Sequence, residues 1–486
     1  PLTAMADETA TIRFIVTGDL YEFPADKDRG GYAKLASVAK IFKKKTKKDI
    51  QSYLVHVGDA YSPSLLSTMD KGKSTVEMLN AVAVDYMVLG NHEWDFGPEN
   101  VIERVWESNF PVLASNVIDQ DGLPLDGTVR TAMINVGPFR VGIIGLVTTN
   151  TKVVSSTGSY EFLPVLDTAK ALAKELKVQG ANLIVALAHL DFVEDMDLFQ
   201  SGIVDILLSG QDHYYIFQDN GKSLWMDSGE DADKVGIVDV HMKSYMKRGK
   251  KRFNWEADMR FVDTKHIPGD KAIAAKVQSY EEYLSKELDI EIGKTSTELD
   301  SRKKIVRTEE AAIGNLIADA MRDGVDADIG IANGGGIRAK KIYAPGTMIT
   351  RRDILSELPF GNVVVKLELT GAQIWEALEN GVSQIESNAG RFPQVSGVSF
   401  IYNPKAKVGS RIISAKVGGR SLNKGRSYTV ATNNYAAGGG DGYSVFKKGK
   451  VIINASNATL LASMVMDYIK AKGSVSPKVE GRIVAQ

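Results

Sequence analysis

Gly90-Asn91-His92-Glu93-Trp94-Asp95 follows a short apolar run, Asp85-Tyr86-Met87-Val88-Leu89. The run predicts a buried strand, which delivers Asn91 and His92 at its carboxyl end, where open α/β sheets place their ligands. An Asn carbonyl is a hard neutral donor for a divalent cation. An imidazole can act as general acid or charge stabiliser, and Asp95 is near enough along the chain to orient it. Taken alone, the hexapeptide reads equally well as a polar turn, because Gly-Asn turns are common.

Four further apolar runs end in the same chemistry. Residues 12–16 lead to Thr17-Gly18-Asp19, 53–57 to Gly58-Asp59, 183–188 to His189, and 204–209 to Gly210-Gln211-Asp212-His213. Strand ends of one sheet lie along one edge. Such ends bring carboxylate, amide and imidazole donors together, a ligand set for hard or borderline cations that needs no local Cys/His signature.

The order Gly18-Asp19, Gly58-Asp59, Gly90-Asn91-His92-Glu93-x-Asp95, His189 and Gly210-x-x-His213 resembles the calcineurin-like metallophosphatase superfamily. The chain past about residue 290 resembles the second domain of the bacterial and ecto 5'-nucleotidase family. The resemblance implies a mixed α/β and α+β fold: a four-layer metallophosphatase sandwich over 8–265, a linker helix over 266–292, and a nucleotide-binding C-terminal domain over 293–486. The implied activity is metal-dependent hydrolysis of nucleoside monophosphates to nucleoside and phosphate, with a second domain that rotates on the linker to carry the nucleotide. A nucleotide-binding relative without catalysis stays open as an alternative. So does a hydrolase of cyclic nucleotides, UDP-sugars or thiosulfate conjugates.

By resemblance, one divalent cation (Zn, Mn, Co or Fe) takes Asp19, the position of Tyr21, a bridging Asp59, and His213. A second takes Asp59, Asn91, His189 and the position of Gln211. His92, oriented by Asp95, would stabilise the transition state or protonate the leaving oxygen. Two positions depart from the family pattern. Asp19-Leu20-Tyr21 stands where Asp-x-His is usual, and Gly210-Gln211-Asp212-His213 where Gly-His-x-His or Gly-His-x-Gln is usual. Each cation loses an imidazole, so occupancy by two ions, one or none follows. A phenol with a pKa near ~10 binds divalent ions poorly. Glu22 or Asp26 at the first position and Asp212 at the second are candidates for compensation.

In the second half, Ile331-Ala332-Asn333-Gly334-Gly335-Gly336-Ile337-Arg338 gives a glycine-rich turn that lets backbone approach a ligand and ends in a cation able to fork onto phosphate or carboxylate. By resemblance Asn333 and Arg338 contact substrate, Phe392 and Tyr435 sandwich the base, and Asp441 binds the nucleoside.

A chain of 486 residues exceeds what one core usually serves, so two domains are expected. A net charge of -1 gives no electrostatic case for nucleic acid or an anionic membrane. The basic clusters at 43–48 and 247–252 read as solvated surface and a hairpin turn. Absence of cysteine excludes disulfides and thiolate metal sites. No apolar run spans a bilayer. Ala4-Met5-Ala6 fits a signal-peptidase site or a cloning scar; with the family's usual location it points to a periplasmic or secreted protein. Oligomeric state is left open.

Among the elements, 32–48 and 75–82 predict helices, Asp167 predicts the cap of a helix over 168–179, and Ile273, Val277, Tyr280, Tyr283, Leu284 and Leu288 keep helical spacing in the linker. Leu224-Trp225-Met226 and 235–240 read as antiparallel edge strands. His56, His241 and His266 lack a ligand-like context. Asn454 and Asn457 head Asn-x-Ser/Thr sequences that matter only in a eukaryotic secretory pathway.

Overall fold

A computed structural model describes residues 8–26, 28–44, 50–248, 250–455 and 458–486; Ala4-Met5-Ala6, most of the first basic cluster and Asn457 lie outside them. The chain forms two compact units, residues 1–282 and 283–486.

The first unit is built on two six-stranded sheets. In one, the order is Lys250–Asp263, Lys234–Lys247, Glu8–Thr17, Ile50–His56, Tyr86–Val88 and Val112–Leu113, the last four running parallel. In the other, Leu183–His189 lies between Phe139–Val147 and Ile206–Gly210, all parallel. Parallel strands cannot be joined by tight turns, so helices such as Gly31–Lys43 and Val165–Val178 make the crossovers. The strands are apolar along their length: Ile12, Phe14, Ile15 and Val16 are fully buried, as is every residue from Leu183 to His189. Such continuous burial marks sheets covered on both faces, one against the other and each against helices. With the strands parallel, those preceding Asp19, Asp59, Asn91, His189 and Gln211 all end on one side.

Two expected edge strands are interior. Leu224–Ser228 pairs parallel with Ile206–Gly210 and antiparallel with Tyr215–Asp219, so Tyr215–Asp219 forms that edge. Lys234–Lys247 pairs with Glu8–Thr17 on one side and with the long strand Lys250–Asp263 on the other. Lys247 opposes Lys250 at the tip, so the second basic cluster is a hairpin end. Asp167 lies in the first turn of helix Val165–Val178, whose N-cap position is Pro164. His56 is fully buried, His241 shares a hydrogen bond with Thr11 Oγ1 at 3.0 Å, and His266 is exposed.

Helix Lys271–Leu288 occupies the expected linker segment. In the second unit a five-stranded sheet runs Pro393–Ser396, Ile329–Asn333, Ser427–Asn433, Val364–Thr370, Lys450–Ile453. Helix Ala312–Gly324 packs against strands Ile329–Asn333 and Pro393–Ser396 through Ile313, Leu316, Ile317 and Met321. Strand Ile329–Asn333 ends at the glycine-rich turn Gly334–Gly336.

Candidate active site

Asp19 and Asp59 each follow a glycine at a strand end, and both adopt a left-handed backbone, with φ of 49° and 55°. Asp19 N–H donates to Gly58 O at 2.9 Å and Leu20 N–H to Asp59 O at 3.0 Å, so the two turns are tied together. Their carboxylates are buried, and with His189 they form a trio whose donor atoms lie within 4.8 Å of one another. His189 Nε2 faces Asp59 Oδ2 at 3.2 Å, while its Nδ1 hydrogen-bonds Val57 O at 2.8 Å, which fixes the ring. His213 Nε2 faces Asp19 Oδ1 at 3.4 Å and its Nδ1 meets Glu230 Oε2 at 2.8 Å.

The close approach leaves no room for side chains at two glycines. A Cβ at Gly58, whose φ is 95°, would lie 2.5 Å from His189 Nδ1, and one at Gly90 would collide with Asp59 Oδ1. Glycine at these positions is therefore a packing requirement of the cluster.

Glu93 lies at the centre of this arrangement. Fully buried, it accepts N–H groups from Asp59 (3.0 Å), Ala60 (2.6 Å), Tyr61 (3.1 Å) and Gly90 (2.5 Å). One carboxylate thus joins the turn carrying Asp59 to the turn carrying Asn91. Reading the chain in order misses it, because four backbone donors from two loops leave no local signal.

Burial penalises every charge here, yet the cluster holds opposite charges together. For Asp59 the cost of burial is outweighed by the charge of His189 and His92, which keep its carboxyl below the usual range. For His189 burial is outweighed by Asp59 and Asp19, which hold its imidazole well above the usual range. For His213, burial is overcome by hydrogen bonds to Asp19 and Glu230, pushing it up to about 10. The carboxylates demand positive charge, which imidazolium protons or a bound cation can equally supply. The donors suit such an ion: Asn91 Oδ1 is buried without a hydrogen-bond partner beside the carboxylate and imidazole trio.

His92 closes the site. Its backbone N–H donates to Asp59 Oδ1 at 2.9 Å, and its Nδ1 lies 2.7 Å from Asp95 Oδ2, which orients the ring.

The two departures, Tyr21 and Gln211, are both hydrogen-bonded to carboxylates. Tyr21 Oη donates within reach of both Asp59 Oδ2 (3.1 Å) and Asp19 Oδ1 (3.3 Å). Gln211 N–H donates to Asp19 Oδ2 at 3.1 Å, and its side-chain amide nitrogen donates to Asp191 Oδ1 at 3.2 Å. Glu22 and Asp26 are exposed. Asp231 caps the loop, accepting from the N–H groups of Tyr21 and Glu22 at 2.8 and 3.0 Å. Asp212 is half-buried, and burial with neighbouring Asp191 raises its carboxyl.

In the second unit Asn333, Asp441 and Tyr435 come together. Asn333 Nδ2 donates to Asp441 Oδ2 at 2.7 Å, Asn433 Nδ2 holds Asn333 Oδ1 at 2.8 Å, and Asp441 N–H donates to Tyr435 Oη at 3.0 Å. Burial raises the Asp441 carboxyl against the opposing pull of Asn333, Arg307 and Arg391. Arg338 lies over the Phe360 ring at 5.4 Å. Arg307 and Arg391, which the sequence reading did not single out, each bury an unpartnered Nε near this cluster. Burial and the adjacent Arg338 charge lower Arg307 to about 10. Phe392 departs from expectation: it is 1 % exposed and packs against Tyr402 in the core, because its residue enters the buried strand Pro393–Ser396, so it presents no ring for stacking.

Comparison with known proteins agrees with this geometry. The calcineurin-like phosphoesterase model matches residues 12–267, and the 5'-nucleotidase C-terminal domain model matches residues 291–448. A snake venom 5'-nucleotidase from Gloydius brevicauda is 30% identical over 89% of this chain and 80% of its own length. The 5'-nucleotidase of Homo sapiens is 28% identical over 88% of this chain and 81% of its own. The crystal structure of a 5'-nucleotidase precursor from Thermus thermophilus superposes with a TM-score of 0.79 at 28% identity, covering 98% of this chain and 99% of that one. With a phosphoesterase unit built around a buried Asp-Asp-His trio and followed by this C-terminal domain, the chain belongs to the calcineurin-like phosphoesterase family, in its 5'-nucleotidase branch.

Proposed function

We propose that the protein hydrolyses the phosphate ester of nucleoside 5'-monophosphates in a cation-dependent reaction. The observation that carries this reading is the buried Asp19, Asp59 and His189 trio with the unpartnered Asn91 carbonyl beside it. Asp59, Asn91 and His189 are the residues that would hold the ion, which supplies Lewis acidity toward the phosphoryl oxygens and the attacking water. His92 Nε2 then delivers a proton to the leaving 5'-oxygen, and Asp95 holds the ring for that transfer. Arg338, Arg307, Asn333, Asp441 and Tyr435 form the nucleoside- and phosphate-binding half of the reading. A periplasmic or secreted location belongs to the same proposal and is supported by the venom relative. Among the described residues no helix is long and apolar enough to cross a membrane.

The test is product release from a panel, inorganic phosphate from nucleoside monophosphates, nucleoside monophosphate from cyclic nucleotides and UMP with sugar phosphate from UDP-sugars, before and after EDTA and on return of Mn(II), Zn(II) or Co(II). Release from the monophosphates that EDTA abolishes and an ion restores is expected. Release confined to another member of the panel would move the substrate. No release with any ion, alongside retained nucleotide binding, would leave a binding protein.

A further inference from the structure

We propose that the metal centre of this chain holds a single ion, on the side of Asp59, Asn91 and His189, and that the Tyr21 hydroxyl stands in for a cation on the Asp19 side. The inference rests on the cation-dependent reading above and concerns how many ions the residues admit.

Both carboxylates accept hydrogen bonds, Asp59 from the His92 N–H at 2.9 Å and from the Tyr21 hydroxyl at 3.1 Å, so the two sides differ in the other donors they offer an ion. Both oxygens of Asp19 receive protons from the chain itself: Oδ1 lies 3.3 Å from the Tyr21 hydroxyl and Oδ2 accepts the Gln211 N–H at 3.1 Å. The remaining approach to Oδ1 is taken by His213 Nε2 at 3.4 Å, and that ring is anchored from behind by Glu230 at 2.8 Å. An ion placed here would have to break the hydrogen bond from the Tyr21 hydroxyl and then take a neutral phenol oxygen as ligand, a poor donor for divalent ions.

On the other side two polar atoms lack a hydrogen-bond partner, one of them His189 Nε2, which faces Asp59 Oδ2 at 3.2 Å. Asn91 Oδ1 and His189 Nε2 are both buried, and neither has a hydrogen-bond partner that meets normal geometry. His189 has already given its Nδ1 to Val57 O at 2.8 Å, so Nε2 is the nitrogen left for an ion. Asn91 is held from its backbone by Ser155 Oγ at 2.8 Å, which fixes the residue while leaving its amide oxygen unengaged. Buried polar atoms are nearly always partnered, so these two unpartnered atoms mark where a ligand belongs.

Gln211 acts on the Asp19 side through its backbone N–H at 3.1 Å, while its amide nitrogen donates to Asp191 at 3.2 Å. Tyr21 contributes one proton shared between Asp59 Oδ2 and Asp19 Oδ1, and so bridges with a hydrogen bond the same pair of carboxylates that a cation would bridge.

The test is metal content. Chain stripped with chelator, incubated with excess Mn(II) or Zn(II) and desalted should carry one equivalent by elemental analysis, and anomalous scattering should place it beside Asp59, Asn91 and His189. Tyr21→His, which supplies an imidazole in place of the phenol, should carry two, whereas Tyr21→Phe should stay at one. Should Tyr21→His not fold, Asp19→Asn and Asn91→Ala divide the cases: Asp19→Asn should keep the ion and Asn91→Ala should lose it. Two equivalents in the unaltered chain, an ion centred on Asp19, or loss of the ion in Asp19→Asn would overturn the proposal. An unaltered chain that binds two ions and releases phosphate would fail the single-ion proposal while leaving the hydrolase reading intact. One that binds none and releases none would take down both.

Discussion

His92 Nδ1 and Asp95 Oδ2 stand 2.7 Å apart within one short helical turn, while the backbone N–H of the same histidine donates to Asp59 Oδ1 at 2.9 Å. A single residue is thus tied to the Asp59 carboxylate through its main chain and to the Asp95 carboxylate through its ring. His92→Ala should lower kcat by about 10²–10⁴-fold, the usual contribution of a positioned acid or base. Asp95→Asn should lower it less and leave metal content unchanged, because the carboxylate acts through the ring alone. Equal metal loss in both variants would contradict this division of labour.

Glu93 accepts four backbone N–H groups and is fully buried. In Glu93→Gln the amide NH₂ faces two of those donors, leaving them unpaired at a cost of about 3 kcal/mol in stability. Urea unfolding of the metal-free chain measures this directly. The same variant should weaken metal binding, since the turns carrying Asp59 and Asn91 are no longer joined.

Asp441 is tied to Asn333 at 2.7 Å, and its backbone to Tyr435 at 3.0 Å. Asp441→Ala should raise KM for nucleoside monophosphates by about 10-fold or more while changing kcat for a small aryl phosphate little, because the loss is one of uniform binding. Arg338→Ala should raise KM for both. A fall in kcat alone for Asp441→Ala would place the residue in the chemical step.

Glu357, buried beneath the Arg338 loop, meets Tyr343 Oη at 2.8 Å and Ala339 N–H at 3.2 Å. Burial outweighs these bonds and pushes its carboxyl up to about 7 from 4.5. The folded state therefore binds this proton more tightly than the unfolded chain, so the group's contribution is fully present below about pH 4.5 and is lost as pH rises to about 7. The loss is on the order of 3 kcal/mol at one pH unit per 1.36 kcal/mol. Glu357→Gln should flatten stability between pH 5 and 7.5 and be the more stable form at pH 8, as followed by urea midpoints; an unchanged pH slope would show that Glu357 is ionised throughout.

Much of the first site was legible in the chain alone. Glycine followed by Asp, Asn or Gln, and His189 after Ala188, at the ends of apolar runs announced strand termini, because a strand buried on both faces must be continuously apolar and its first polar residue marks where it stops. Asp19, Asp59 and His189 gather as that pattern requires. Strand order was not legible: 224–226 and 235–240 read as edges, yet the strands that contain them, Leu224–Ser228 and Lys234–Lys247, are each flanked on both sides. Pairing is chosen by register across distant segments, which local periodicity does not encode.

The sequence by itself determined which donors exist and the order in which the strands deliver them, since residue type and apolar period are local properties. Only the tertiary structure decided which lone pairs remain for an ion: it set the Tyr21 hydroxyl against Asp19 and Asp59, turned Gln211 to Asp191, buried Phe392 and brought four backbone donors onto Glu93. Hydrogen-bond partnership depends on distances of about 3 Å between loops far apart in the chain, and only packing fixes those.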